Sequence, residues 1–216
     1  MELRYNDSTI TVELPPNIDW HVLEKDSSSF LPETTVIQNG IDALLRQLAG
    51  RLQKKCRITL ICPDHTRKCR LPLILPGLVD GLEEKFLADI EILIANGCHA
   101  LQPEAVVAEL VSPEIYHRVP TFQHDASAED QMIHLGRTSF GTDIRLNEKV
   151  KADFVITIGG ILYHYFAGFG GGPKMLLPGV AAYETIQQNH RRTINADGHF
   201  HPRARHGDIL TNPVYV

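Results

Sequence analysis

Three short apolar runs, each followed by a polar or glycine-rich loop, constrain the fold of this 216-residue chain more than any other feature. They are RITLIC at 57–62, DIEILIA at 89–95 and DFVITI at 153–158. Runs of this length are typical of strands buried on both faces of a sheet. A helical pattern precedes the first run, with apolar residues every three or four positions over 35–52. This order predicts an α/β fold, a doubly wound and mainly parallel sheet with helices on both faces.

The regions outside these runs suggest how the chain is divided. Residues 8–14 (STITVEL) alternate polar and apolar side chains, which predicts a strand in a small N-terminal β element over 1–30. The α/β core is expected over 31–194. The tail 195–216 carries no helix or strand pattern that would close a domain. We therefore expect the chain to continue into a second domain, or to need a separate partner chain.

The segments between the strands have weaker patterns. Residues 71–86 are apolar but interrupted by prolines and a glycine, so we expect a helix only towards their end. A helix is also expected over 103–111. The stretch 112–147 is predicted to be irregular, with one strand candidate at 120–124.

Composition excludes several classes of function. The net charge of -5 comes from mixed charges without a basic stripe, so we expect no nucleic-acid partner. The N-terminus lacks the charged and apolar regions of a secretory leader, and no apolar run is long enough to span a membrane. The 4 cysteines form no CxxC pair, which favours reduced thiols. These features predict a cytoplasmic protein without a disulfide framework or a membrane partner.

The glycine-rich segment GFGGGPKMLLPG at 168–179 is the strongest local motif. Gly170, Gly171 and Gly172 would let backbone N–H groups approach an anion closely, and Lys174 adds a cation beside them. The segment matches neither GxxxxGK[ST] nor GxGxxG. A glycine-rich loop on its own is also compatible with an ordinary turn.

Histidines accompany this loop and the other strand ends. His164 precedes Lys174 and His190 follows it, while His99 ends the NGCH segment after the second strand. Imidazole transfers protons near neutral pH and binds borderline metals, although a single histidine is often only structural. Asp64 and Arg67 follow the first strand, at the sheet edge where α/β proteins bind ligands.

Four segments together resemble the N-terminal domain of the nickel-dependent lactate racemase family. They are PDHTR at 63–67, NGCH at 96–99, ILYHYFAGFGGGPKMLLPG at 161–179 and TIQQNH at 185–190. The resemblance covers nearly the whole chain in the same order. It implies an isomerase that racemises or epimerises a small 2-hydroxy acid such as lactate.

The resemblance also implies a cofactor. This is a nickel pincer nucleotide, a pyridinium-3,5-bisthiocarboxylate mononucleotide that holds a square-planar nickel ion. His190 matches the histidine that completes the metal coordination, a role that suits an imidazole nitrogen and Ni(II). Lys174 matches the lysine that is joined to the cofactor through a thioamide or only paired with it. Gly170, Gly171 and Gly172 are expected to lie beside the nucleotide phosphate.

His99 and His164 match the two general acid/base histidines of the family. The resemblance implies that one of them takes the 2-hydroxyl proton while the C2 hydride passes to the cofactor, and that the hydride then returns to the other face of the keto acid. Arg67 is expected to bind the substrate carboxylate, and Asp64 to orient Arg67 or contact the cofactor ribose.

Two differences from the family pattern bear on these roles. Gly170 stands where the family commonly has a serine, which removes one hydroxyl near the phosphate. The second domain of the family is absent from these residues, so we expect the chain alone to turn over little substrate. Two alternatives stay open, a nucleotide-binding module that is active only with a partner chain, and a zinc hydrolase built from the same histidines.

Overall fold

The computed structural model describes residues 1–5, 8–21, 31–67 and 69–215. They form two compact units, Met1–Pro32 and Glu33–Val216. In the first unit, β1 (Glu2–Tyr5) and β2 (Ser8–Thr11) pair antiparallel. The strand expected over 8–14 is therefore present but shorter. Residues 22–30 of the expected N-terminal element lie outside the described residues.

The second unit is built on a four-stranded parallel sheet. Its strands are β3 (Arg57–Pro63), β4 (Asp89–Ala95), β5 (Thr121–Gln123) and β8 (Phe154–Thr157). Their order is β5-β4-β3-β8, and every neighbouring pair is parallel. The chain thus moves outward from β3 to β5 and then returns to the other side of β3. The three apolar runs occupy the three strands with the longest pairings, which confirms the predicted α/β fold.

The remaining elements connect these strands and follow them. The helices are α1 (Glu33–Leu48), α2 (Leu71–Phe86), α3 (Glu104–Val111), α4 (Pro113–Arg118) and α5 (Tyr183–Arg191). The further strands are β6 (Met132–Arg137), β7 (Asp143–Asn147), β9 (Tyr163–His164) and β10 (Gly168–Phe169). Short 3-10 turns occur at Glu129–Gln131, Glu148–Lys151 and Gly172–Met175.

The main hydrophobic core lies between one face of the sheet and helices α1 to α4. Even-numbered residues of β3 and β4, such as Ile58, Leu60 and Ile92, are fully buried there. Leu75 and Leu82 of α2 pack against them. Each fully buried aliphatic side chain contributes about 2 kcal/mol, so this layer fixes the strand positions.

The opposite face is covered by short helical turns and irregular chain. The odd-numbered Ile61 and Leu93 pack against Met175 and Val180. The glycine-rich segment that carries Lys174 therefore rests directly on the sheet. This packing fixes the backbone on both sides of Lys174.

Two regions differ from the expectations. Helix α2 begins at Leu71 although Pro72 and Pro76 lie within it. Pro72 occupies the first turn, where its missing N–H has no helical acceptor, and the buried leucines of α2 outweigh the one bond lost at Pro76. The stretch 112–147 is more regular than predicted, since it contains α4 and the β6–β7 hairpin. The strand expected near 120–124 is present as β5.

Candidate active site

Three loops that carry the candidate residues leave the sheet at the same edge. Parallel strands β3, β4 and β8 present their carboxyl ends together, and the loops begin at Asp64, Asn96 and Ile158. The strand order reverses between β3 and β8, and such a switch point forms a crevice for ligands in α/β sheets. The fold therefore brings the candidate residues to one edge.

Asp64 and His99 form a carboxylate–imidazole pair across the ends of β3 and β4. His99 Nδ1 lies 2.5 Å from Asp64 Oδ2. The Asp64 side chain is 2% exposed, whereas that of His99 is 53% exposed. The other carboxylate oxygen, Oδ1, accepts from the Thr66 hydroxyl at 2.6 Å and from the Thr66 N–H at 3.2 Å. Thr66 thus holds the Asp64 carboxylate in place, and the His99 imidazole faces solvent.

This pairing differs from the role expected for Asp64. Among residues 1–5, 8–21, 31–67 and 69–215, its carboxylate is bonded to His99 and Thr66, and no side-chain bond joins it to Arg67. Arg67 is linked to Asp64 through the backbone, where the Arg67 N–H donates to the Asp64 carbonyl at 3.1 Å. Sequence reasoning missed this pair because its two residues lie 35 positions apart.

His164 ends the two-residue strand β9, which pairs with β10 in a tight hairpin. Its Nδ1 accepts a hydrogen bond from the Ala167 N–H at 3.2 Å. The side chain is partly buried. Burial, together with the charges of Lys174, Arg67 and His190, lowers the pKa of His164 to about 4. The ring is therefore neutral at physiological pH.

The glycine-rich loop has a backbone that a larger residue would disrupt. At Gly171 φ is 70°, and an added Cβ would lie 2.7 Å from the Gly160 carbonyl oxygen. At Gly168 φ is 74°, and a Cβ would lie 2.5 Å from the Asp208 carbonyl oxygen. Both positions thus require glycine, because φ is positive and because a neighbouring backbone carbonyl approaches closely. At Gly170 a Cβ would meet the Leu162 carbonyl oxygen at 3.7 Å, an ordinary contact.

Lys174 lies in the 3-10 turn Gly172–Met175 and is partly buried. Its Nζ is 5.4 Å from the centre of the Phe166 ring. Burial, and then the charge of Arg67, lower the pKa of Lys174 to about 8. In about a tenth of the molecules the Lys174 amine is then unprotonated at pH 7, and this neutral amine is a competent nucleophile.

His190 lies on the last turn of α5 and is partly buried. Its Nδ1–H donates to the Ile186 carbonyl at 2.8 Å. Burial and the charge of Lys174 lower the pKa of His190, against the opposing effect of that hydrogen bond. The Nε2 atom consequently keeps its lone pair, the state in which a histidine binds a metal ion.

The Phe166 ring joins these three side chains. Ring centres are 4.5 Å apart for His164 and Phe166, and 5.3 Å apart for Phe166 and His190. Phe166 is 8% exposed and packs with Ala167, Ala204 and Val214. Its carbonyl accepts from the fully buried Asn212 amide at 2.9 Å.

The tail thus supports the site from beneath, a role that the sequence analysis did not assign to it. The Asn189 amide, next to His190, also donates to the Val214 carbonyl at 2.9 Å. An NP dipeptide at 212–213 is only a turn signal in the sequence. Nothing in it indicates contacts with residues more than 20 positions away.

Arg67 connects the two groups of residues. It is exposed, and within the described parts of the chain no hydrogen bond or ion pair holds its guanidinium. Its charge nevertheless lowers the pKa of both His164 and Lys174. It lies in the same loop after β3 as Asp64, and its effect on the pKa of His164 and of Lys174 indicates that its charge is near the cluster around Phe166.

Among the other histidines, His206 lies beside the hairpin that carries His164, with its ring centre 6.0 Å from that of Tyr163. His199 is exposed and His124 is fully buried, with its Nε2 2.9 Å from the Ala181 carbonyl oxygen. The ranges 1–5, 8–21, 31–67 and 69–215 contain no cluster of three or more His, Cys, Asp or Glu residues that could hold a metal ion. The zinc hydrolase alternative requires such a cluster.

Two cavities lie elsewhere in the second unit. One of about 300 Å³ lies between α1, α2 and β8, and one of about 480 Å³ lies near the opposite ends of the strands. Neither is lined by His99, His164, Lys174 or His190. Separately, within the described residues no helix is long and apolar enough to cross a bilayer.

Comparison with known proteins links this geometry to one family. Residues 5–201 match the family model described as the lactate racemase N-terminal domain. Similar proteins are the lactate racemase of Lactiplantibacillus plantarum, 29% identical over 223 residues, and that of Thermoanaerobacterium thermosaccharolyticum, 27% identical over 222 residues. Each alignment covers 100% of this chain and 51% of the relative, so the chain spans about half their length.

Solved structures give the same result. The lactate racemase apoprotein from Thermoanaerobacterium thermosaccharolyticum superposes with a TM-score of 0.83 at 28% identity, over 99% of this chain and 50% of that one. A Thermotoga maritima protein superposes with a TM-score of 0.60 at 22% identity, over 70% of this chain and 40% of that one. The second likeness concerns the fold alone.

Proposed function

The chain belongs to the family of the lactate racemase N-terminal domain, and on that premise we propose that it forms the cofactor-binding and acid/base half of a 2-hydroxyacid racemase or epimerase. The observation that carries the proposal is the cluster around Phe166, where His164, Lys174 and His190 come together. These are three of the residues to which the sequence resemblance gave roles.

The residues of this cluster fit a nickel pincer nucleotide. The His190 Nε2 keeps a lone pair because Nδ1–H is bonded to the Ile186 carbonyl, as a metal ligand requires. The N–H groups of Gly171 and Gly172 make no backbone hydrogen bond within the described residues and would be open to a phosphate group, whereas the Gly170 N–H donates to the Leu162 carbonyl at 2.7 Å. When bound, the cofactor would supply the centre that accepts and returns the C2 hydride.

Lys174 would hold the cofactor through its side-chain nitrogen. Its pKa of about 8 leaves an appreciable fraction as free amine at neutral pH. Forming an amide or thioamide requires that neutral form. The lowered pKa therefore favours covalent attachment over simple ion pairing, the choice that the sequence left open.

Arg67, His99 and His164 would act on the substrate. The exposed Arg67 guanidinium, without an ion-pair partner in the described residues, is available to bind the carboxylate of a 2-hydroxy acid in two hydrogen bonds. His99 lies in the loop after β4, and His164 lies at the end of β9. Each would exchange a proton with the substrate hydroxyl.

The site is open at this face. His99 and Arg67 are exposed, as are Ile161, Tyr163 and Tyr165 of the neighbouring hairpin. Hydride transfer requires exclusion of water. We therefore propose that a further domain or a partner chain closes the site, and that this chain alone has little activity.

A chiral assay tests the proposed function. The full-length protein, loaded with the nickel cofactor, is incubated with one enantiomer of lactate and of other 2-hydroxy acids, and both enantiomers are measured over time. We expect conversion to a mixture of the two, with His99→Gln and His164→Gln lowering the rate by about 100-fold or more. The exposed His199→Ala variant serves as the matched control and should keep full activity. Full activity of both glutamine variants would refute the acid/base roles.

A further inference from the structure

We propose that the fold holds His99 and His164 in opposite neutral tautomers, with Asp64 as the residue that positions His99. When both rings are neutral, His99 then offers Nε2 without a proton, and His164 offers an Nε2–H. The catalytic meaning of this difference rests on the proposed function, whereas the tautomers are a property of the fold.

The tautomer of His99 follows from its partner. The oxygens of the Asp64 carboxylate can only accept: Oδ1 accepts from Thr66, and Oδ2 accepts from the His99 ring at 2.5 Å. The proton must therefore be on His99 Nδ1. A neutral ring with Nδ1–H has its lone pair on Nε2, and this side of the half-exposed ring is the one left to receive a substrate proton.

The tautomer of His164 follows from the opposite kind of partner. The Ala167 backbone N–H can only donate, and it points at His164 Nδ1 at 3.2 Å. This nitrogen must therefore carry the lone pair. The proton of the neutral ring is then on Nε2, so the second histidine presents a donor where the first presents an acceptor.

The surroundings keep His164 neutral. It shares its site with Lys174, Arg67 and His190, whose charges add to the effect of burial and lower the pKa of His164. The rings of Tyr165 and Phe166, at 5.0 and 4.5 Å between centres, enclose it further. Protonation at Nδ1 would in addition place two donors, the Nδ1–H and the Ala167 N–H, opposite each other. The Nε2–H tautomer is thus the resting form.

The difference gives the two histidines different first roles. His99 Nε2 can take the hydroxyl proton directly: the O–H bond breaks, an N–H bond forms, and the imidazolium remains beside the Asp64 carboxylate. The cofactor of the proposed function, when bound, would supply the acceptor for the C2 hydride. His164 first donates a hydrogen bond to the substrate oxygen. To act as a base it must lose the Ala167 hydrogen bond and move its proton from Nε2 to Nδ1.

Steady-state efficiency is a poor readout of this asymmetry. The two enantiomers have equal free energy, so the equilibrium constant is one and kcat/KM must be the same in both directions. The asymmetry can show only in kcat and KM taken separately, or in the rings themselves. Direct observation of the nitrogen atoms is therefore the decisive test.

Nitrogen-15 NMR reports the tautomers directly. The chain is labelled on its 11 histidines, and long-range proton–nitrogen correlations are recorded at about pH 8.5, well above the ordinary imidazole pKa. His99→Gln and His164→Gln variants assign the two rings. We expect protonated Nδ1 with bare Nε2 for His99, and the reverse for His164. Finding the same tautomer in both rings, or rapid averaging in either, would overturn the proposal.

Asp64→Asn tests the positioning role. An asparagine can donate its amide to His99 Nδ1, so we expect the proton of His99 to move to Nε2 while the pattern of His164 stays unchanged. Thr66→Val removes a hydroxyl from Asp64 but leaves the His99 contact, and should preserve the His99 tautomer. Asp153→Asn, at the other end of the sheet, is the matched control. An unchanged His99 tautomer in Asp64→Asn would contradict the role of the carboxylate.

The loaded full-length enzyme separates this inference from the proposed function. Asp64→Asn is expected to lower kcat by about 100-fold or more, because the wrong His99 tautomer faces the substrate, with a smaller effect on KM. Opposite tautomers in an enzyme that racemises nothing would refute the function and leave the inference standing. An active racemase in which His99 and His164 have the same tautomer would refute the inference and leave the proposed function standing.

Discussion

Replacing Lys174 by methionine is expected to stabilise the fold at neutral pH while removing the amine that we propose holds the cofactor. Burial, and then the charge of Arg67, lower the pKa of Lys174 from 10.5 to about 8. At about 1.4 kcal/mol for each pH unit, that difference corresponds to a penalty of about 3 kcal/mol when the side chain is protonated in both states. Loss of the contact with Phe166, worth about 0.5 kcal/mol, reduces the net gain to about 2 to 3 kcal/mol.

The gain should depend on pH in a defined direction. The unfolded chain holds the lysine proton more tightly than the folded one, so folding becomes more favourable as the pH rises from about 8 to 10.5. The penalty is fully present below this window and has fallen to about 1.4 kcal/mol near pH 9.5. The advantage of the Lys174→Met variant should therefore shrink by about half between pH 7 and pH 9.5.

Urea denaturation at both pH values measures this difference. Wild type, Lys174→Met and Lys85→Met are compared, because Lys85 is exposed on α2 and its replacement should change stability by no more than about 0.5 kcal/mol. A Lys174→Met variant that is less stable than wild type at pH 7 would refute the reasoning. So would a gain in stability that is the same at both pH values.

Three further predictions concern the same loop and its charges. Gly171→Ala should lower the free energy of unfolding by about 1 to 3 kcal/mol, because its Cβ would meet the Gly160 carbonyl oxygen at 2.7 Å. Gly170→Ser should lower it by less than about 0.5 kcal/mol. Similar losses of stability for both variants in thermal denaturation would contradict this. Arg67→Gln should raise the pKa of His164 and of Lys174, because it removes a positive charge near both side chains. NMR titration of the two side chains measures these pKa values, and unchanged values would contradict the prediction. At about pH 8 an acylating reagent should modify Lys174 ahead of the other lysines, as mass mapping of the peptides would reveal; uniform labelling would contradict the lowered pKa.

The core of the fold could be predicted from the sequence because its strands are continuous apolar runs. The run 89–95 was predicted with the bounds that β4 has. The hairpin β6–β7 was missed because its strands are mostly half-exposed and lack a clear alternation. The continuous helix α2 was missed because prolines suggest a break, and only tertiary burial of its leucines overrides that local signal.

The candidate site could be predicted as a set of residues but not as a set of contacts. Motifs indicated Lys174, His164 and His190, and the structure gathers these around Phe166. The Asp64–His99 pair depends on the register between β3 and β4, which no local pattern encodes. Support from Asn212 likewise depends on how the tail folds back beneath the hairpin.

The most direct test of the central claim is the nickel content of the full-length protein after loading with the pincer nucleotide, measured by native mass spectrometry. We expect one nickel and one nucleotide per chain in wild type and in the His199→Ala control. We expect His190→Ala to lose the nickel, because the substitution removes the His190 Nε2 atom, which is the proposed ligand. A His190→Ala protein that retains its nickel, or a wild type that binds neither group, would contradict it.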